Sequence, residues 1–108
     1  MKISKINNNP RTGIIYVMTD SVYGQNGYVK VGFTGRDFRV RLSEANVWNP
    51  KKDVYAVFAK SVNRPREVET KVLKALRDKQ FGVLRGGEWF KGDISEIVAT
   101  THEVLANH

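Results

Sequence analysis

The sequence predicts an α+β fold, a small three-stranded antiparallel sheet flanked by about three helices. Three observations lead there. Ile14–Met18 and Tyr28–Phe33 are short apolar runs, β-branched and aromatic, joined by a loop of medium length. A third run, Val54–Val62, alternates imperfectly between apolar and polar residues. Three further stretches repeat apolar residues at helical spacing and carry helix start signals.

Met1–Thr12 is polar, with an Asn-Asn-Asn-Pro run, and reads as a flexible basic arm; residues 13–108 form one domain. Ile14–Met18 is too short for a free helix and reads as a buried strand. Asp20–Gly27, rich in Gly, Ser and Asn, reads as a loop. Tyr28–Phe33 returns as the second strand, with Tyr28, Lys30 and Gly32 on one face and Val29, Val31 and Phe33 on the other. Thr34-Gly35-Arg36-Asp37 fits a capping box and starts the first helix, on which Phe38, Leu42 and Ala45 share a face. Trp48-Asn49-Pro50 stops that helix. After the third strand, Arg64-Pro65 opens the second helix, whose core face is Val68, Val72, Ala75 and Leu76. Phe81–Lys91 is a glycine-punctuated loop containing a short extended Glu88-Trp89-Phe90 piece that returns to the core. Asp93–Ala106 is the last helix.

The charge is strongly positive: 18 Lys and Arg against 11 Asp and Glu, a formal net +7 in 108 residues. The excess is uneven. Met1–Lys52 holds nine basic and three acidic residues, while Gly92–His108 holds three acidic and no basic ones. Such polarity suits a polyanion partner. With no cysteine, disulfides and thiolate metal sites are excluded, and a reducing compartment fits. The two histidines, His102 and His108, are given no role, so a metal would take oxygen ligands, as Mg²⁺, Mn²⁺ and Ca²⁺ do. No apolar run approaches the roughly 20 residues of a membrane span, and no signal peptide is visible.

Two charged residues fall at the margins of apolar helix faces. Arg41 projects about 40° from Ala45, at the edge of the buried stripe of its helix. Glu69 projects about 20° from Leu76 and about 40° from Leu73, among apolar residues. A carboxylate there needs a partner or a metal. Plainer roles exist for each candidate: an ion pair of Arg41 with Asp37 or Glu44, one of Glu69 with Arg66, a helix cap for Thr34, a solvated edge charge for Lys30 and a core aromatic for Tyr16. Trp48 and Trp89 read first as packing residues, with base stacking as the alternative.

Together these residues carry a family resemblance. Gly13-Ile14-Ile15-Tyr16, Lys30-Val31-Gly32 with Thr34 after it, Arg41-Leu42 and Glu69 resemble the GIY-YIG nuclease superfamily. The closer similarity is to a phage and bacterial subgroup, the T-five-phage type, with lysine in place of the second motif tyrosine, a Gly-x-Thr and a late Glu-Trp-Phe. The resemblance spans about Gly13–Phe90. It implies a GIY-YIG-like fold and a Mg²⁺- or Mn²⁺-dependent endonuclease that hydrolyses DNA phosphodiester bonds by nicking or cleaving duplex. By that resemblance Glu69 anchors the metal and Arg41 holds a non-bridging phosphate oxygen. Tyr16 orients or deprotonates the water, and Lys30 contacts phosphate or acts as the base. Thr34, Arg36 and Arg39 join Lys30 as the expected DNA phosphate contacts. Ala45 stands where many members of the superfamily have a polar group, and their late asparagine has no clear equivalent. The expected partner is DNA, with no membrane, in the cytoplasm of a bacterial host cell, where phage encoding is one open origin. A chain of 108 residues leaves no room for a separate DNA-reading domain, so sequence preference would come from loops, a homodimer or a recruiting partner. The alternatives are a DNA-binding module on the same scaffold that has lost catalysis, and a subunit that requires a partner.

Overall fold

A computed structural model describes residues 11–47, 49–79, 81–83 and 89–108. The α+β class holds. The sheet is larger than the three strands expected: among the described residues it has four strands of three or more residues and a two-residue fifth, in the order β3-β1-β2-β5-β4, with every neighbouring pair antiparallel. The strands are β1 (Thr12–Thr19), β2 (Tyr28–Thr34), β3 (Tyr55–Asn63), β4 (Gly82–Val83) and β5 (Trp89–Lys91). The last two are too short to show a period in sequence. They exist because β2 offers its free edge and Phe90, fully buried, anchors β5 to it opposite Val29. Glu88 lies outside the described residues.

The helices are α1 (Ser21–Gln25), α2 (Phe38–Val47), α3 (Pro65–Asp78) and α4 (Ile94–Ala106). Of these, α1 replaces the loop expected over Asp20–Gly27. Asp20 is extended, and its carboxylate accepts from the Val22 and Tyr23 amides at 3.0 and 2.8 Å, which caps this short helix. Gly27, with φ +78°, lets the chain turn back into β2.

The start of α2 also differs from the capping box. Thr34 ends β2, its hydroxyl accepting from the Arg36 amide at 3.1 Å. The cap falls to Asp37, whose side chain accepts from the Arg39 amide at 2.9 Å. Proline opens α3 as expected, and Asp93 caps α4 through the Ser95 and Glu96 amides.

Alternation along the central hairpin divides the sheet into two faces. Ile15, Val17, Val29 and Val31 pack with Val68, Val72 and Leu76 of α3, Ile97 of α4 and Phe90, all fully buried. Each such side chain contributes about 1.5–3 kcal/mol on leaving water. The opposite parity carries Tyr16, Met18, Lys30, Gly32 and Trp89, paired Tyr16 to Gly32, Met18 to Lys30 and Lys30 to Trp89. α2 lies on that second face. None of its residues is fully buried. Its anchors are Phe38, whose ring sits 5.5 Å from that of Tyr16, and Asn46, whose side chain bonds both the amide and the carbonyl of Val54.

Leu76→Ala is expected to lower the unfolding free energy by about 2–5 kcal/mol in urea denaturation, because the site is enclosed by other elements and cannot collapse freely. A loss under 1 kcal/mol would show that α3 is not packed as described.

Candidate functional site

On the second face lies an open cleft of about 910 Å³. Its floor is the row Met18, Lys30 and Trp89; α1 supplies Val22 and Tyr23; α2 supplies Arg41, Glu44 and Ala45; and the segment after α2 supplies Asn49, Lys51 and Asp53. Tyr16 lies next along the hairpin, 2% exposed. Its hydroxyl accepts a hydrogen bond from Arg41 Nε at 3.2 Å, and the Arg41 guanidinium carbon sits 5.9 Å from the centre of the tyrosine ring. Gly32 makes this arrangement possible. A Cβ at that position would stand 2.5 Å from the Tyr16 hydroxyl and 2.7 Å from Cζ. No side chain fits between the strand and the ring.

Arg36, just before α2, and the two arginines of α2 are already engaged. Arg36 pairs with Glu44 at 2.7 Å, and Arg39 with Asp37 at 2.9 Å, both at the surface. Arg41 is the most buried of the three, and its Nη1 lies 3.9 Å from Glu44. So one plain role considered for Arg41, pairing with Glu44, is present as a long contact beside the Tyr16 bond. The hydrogen bond from Arg36 holds the Glu44 carboxyl below its ordinary range, and the one from the Arg39 side chain does the same for Asp37. Both carboxyls have depressed values, so the pairs are intact at neutral pH and are lost as acid is added through those lowered values. At exposed positions such pairs contribute little to stability.

Lys30 lines the cleft and has no ion-pair partner among the described residues. Thr34 and Arg36 sit at the other end of the hairpin, against a smaller depression that Arg36 lines with Gly13 and Phe38. Glu69 is half-buried on α3 beside Val68, away from the cleft lining. Since the buried stripe of α3 meets the first face of the sheet, Glu69 and the Tyr16–Arg41 pair stand on elements that cover opposite faces. Trp48 lies outside the described residues. His102 packs edge-on against Phe58, 6.3 Å between ring centres.

Several cleft residues escaped the pattern of the sequence. Asp20 accepts from the side-chain amide of Asn49 at 2.8 Å as well as from the two amides it caps. Ser21 donates to Asp53 Oδ2, while Asp53 Oδ1 is buried without a hydrogen bond among the described residues. The one available signal was Asp20 preceding Ser-Val-Tyr, a helix start hidden inside a loop-like composition.

A family model for the T5orf172 domain matches residues 13–105. The chain belongs to the T5orf172 domain family. That family is associated with nuclease-like phage domains, and membership suggests a nuclease-like or DNA-binding role in coarse terms. No curated protein and no solved structure matches the chain. Among the described residues, this T5orf172 domain has no helix long and apolar enough to cross a membrane.

In the T5orf172 domain the Tyr16–Gly32 contact makes a direct prediction. Gly32→Ala should destabilise the protein by about 1–3 kcal/mol through overpacking against the ring. In a Tyr16→Leu background the same change should cost less than half as much, measured as a double-mutant cycle in urea. Equal costs in both backgrounds would mean that the ring does not rest on Gly32.

Proposed function

We propose that this T5orf172 domain is a metal-dependent endonuclease of GIY-YIG type that hydrolyses DNA phosphodiester bonds in the cleft beside Tyr16. One observation carries this reading: Arg41, three-quarters buried, donates through Nε to the Tyr16 hydroxyl and lines the same cleft as Lys30. Using Nε for the tyrosine leaves the terminal nitrogens of the guanidinium for non-bridging phosphate oxygens, with Nη1 giving up its long contact with Glu44. Lys30 adds a point charge across the floor. In this reading Tyr16, held by its own packing and by Arg41, would orient an attacking water, and Tyr16 or Lys30 would take its proton.

The metal in this reading is Mg²⁺ or Mn²⁺, held by Glu69. The donor chemistry suits it: a single half-exposed carboxylate leaves room for the several waters that Mg²⁺ retains. When bound, the ion would neutralise charge developing on the phosphoryl oxygens. Among the described residues no group of three or more His, Asp or Glu gathers into a cage. Thr34, Arg36 and Arg39 serve as outer phosphate contacts, and a homodimer or a recruiting protein would supply sequence preference. A second reading, DNA binding without catalysis, is favoured by the position of Glu69 off the cleft.

Incubation with supercoiled plasmid decides between them. Nicking is expected with Mg²⁺ and not with EDTA, and Arg41→Ala and Glu69→Ala should each reduce it by about a hundredfold or more. DNA binding without cutting across Mg²⁺, Mn²⁺ and pH would leave the binding module. A separate expectation concerns Glu44, which engages Arg36 and approaches Arg41. Glu44→Gln should tighten DNA binding and steepen its dependence on log salt by about 0.9 for each additional phosphate contact. An unchanged slope would mean that the freed arginines do not reach the backbone.

A further inference from the structure

The wall of the cleft opposite Arg41 is aromatic and unexpectedly open. Tyr23 is 47% exposed and its neighbour Val22 48%, although both belong to a five-residue helix set into the hairpin loop. The Tyr23 ring stands 5.3 Å from that of Trp89, tilted by 52°, and meets Tyr28 edge-on at 6.1 Å. Trp89 is itself half-buried and lies directly across from Lys30 in the strand register. Side chains opposite each other on antiparallel strands have Cβ atoms about 5 Å apart, so the lysine and the indole adjoin.

The exposed aromatic is held in place rather than left loose. Asp20 caps α1 through two amides and is bonded to Asn49, Ser21 donates to Asp53, and Gly27 bonds to Gly24 and Gly92. A short helix fixed by these bonds keeps a large ring facing solvent in a cleft lined by Lys30, Arg41 and Lys51, whose carboxylates Asp20, Glu44 and Asp53 are engaged by Asn49, Arg36 and Ser21. Binding of single-stranded nucleic acid combines the same two elements, a positive track for phosphate and an aromatic face for the base. Bases inside a duplex present their edges in the grooves and not their faces.

We propose that Tyr23 and Trp89 form a stacking platform for one unpaired nucleobase, next to the phosphate gripped by Lys30 and Arg41. The substrate class is then a single-stranded or locally opened polynucleotide rather than intact duplex. The placement of that phosphate beside the platform rests on the phosphate-binding reading of the same cleft.

The test is binding by fluorescence anisotropy, in EDTA to prevent cutting, of a labelled single-stranded oligonucleotide and of the duplex of the same sequence. The wild-type protein should prefer the single strand. Tyr23→Ala should reduce the ratio of single-strand to duplex affinity by about five- to a hundredfold, and Tyr23→Phe should retain it. Single-strand binding should also quench tryptophan fluorescence, and Trp89→Phe should remove most of that quenching. An equal affinity of the wild-type protein for both ligands, or a ratio that Tyr23→Ala does not change, overturns the platform. Arg41→Ala reports on the phosphate grip separately: it should weaken both ligands together. If it weakens neither while the Tyr23 effect persists, the phosphate reading fails and the platform stands. Absence of any DNA binding by the wild-type protein overturns both.

Discussion

The register of β1 against β2 is the constraint on which the rest of the molecule depends. Side chains alternate across a strand, so pairing Tyr16 with Gly32 sends Ile15, Val17, Val29 and Val31 together to one face. That face becomes a dry layer under α3 and α4. The same pairing sends Tyr16 and Lys30 to the other face. A slip of one residue would exchange the two sets, exposing four branched side chains and burying a lysine. The hydrophobic layer therefore fixes the position of the polar residues it excludes. The missing side chain at Gly32 completes the arrangement, because only there can the tyrosine ring lie flat enough against the strand to meet Arg41.

The second face is assembled from polar contacts instead of apolar burial. α2 has no fully buried residue and is tied through Asn46 to Val54 and through Phe38 to Tyr16. α1 depends on Asp20, Asn49, Ser21 and Asp53. A cleft bounded by such elements can stay open and charged, since its walls do not need to close over a core. The neighbouring Arg36 and Arg39 are meanwhile held by Glu44 and Asp37, surface pairs weak enough to be exchanged for a stronger anion. The basic excess of the chain is thus partly masked near the site until a polyanion competes for it.

The long elements were legible in the sequence for ordinary reasons. Pro65 followed by Val68, Val72 and Leu76 sets both the start and the buried stripe of α3, and the observed helix follows it. The strand expected over Tyr28–Phe33 is present as Tyr28–Thr34, with burial alternating from Tyr28 through Val31. The short elements were not legible. A five-residue helix and strands of two and three residues contain too little period to rise above turn composition, and each is held by a partner distant in sequence: Asn49 and Asp53 for α1, Val29 for Phe90. Thr34-x-x-Asp37 and Asp37 itself are both valid helix start signals in sequence, and the pairing of Thr34 with Ile14 in the hairpin decides for Asp37.

By itself the sequence determined the α+β class, the two-faced central hairpin, the basic field and the set of residues whose types suit phosphate chemistry, because alternation, helical period and charge are local properties of the chain. Only the tertiary structure decided which of those residues meet. It joined Arg41 to Tyr16, set Lys30 across from Trp89, and put Glu69 on the helix that covers the other face of the sheet. It also brought Tyr23 into the cleft, from a segment whose composition reads as a loop. These outcomes depend on strand register and on hydrogen bonds between residues as distant in sequence as Gly27 and Gly92, which no local pattern encodes.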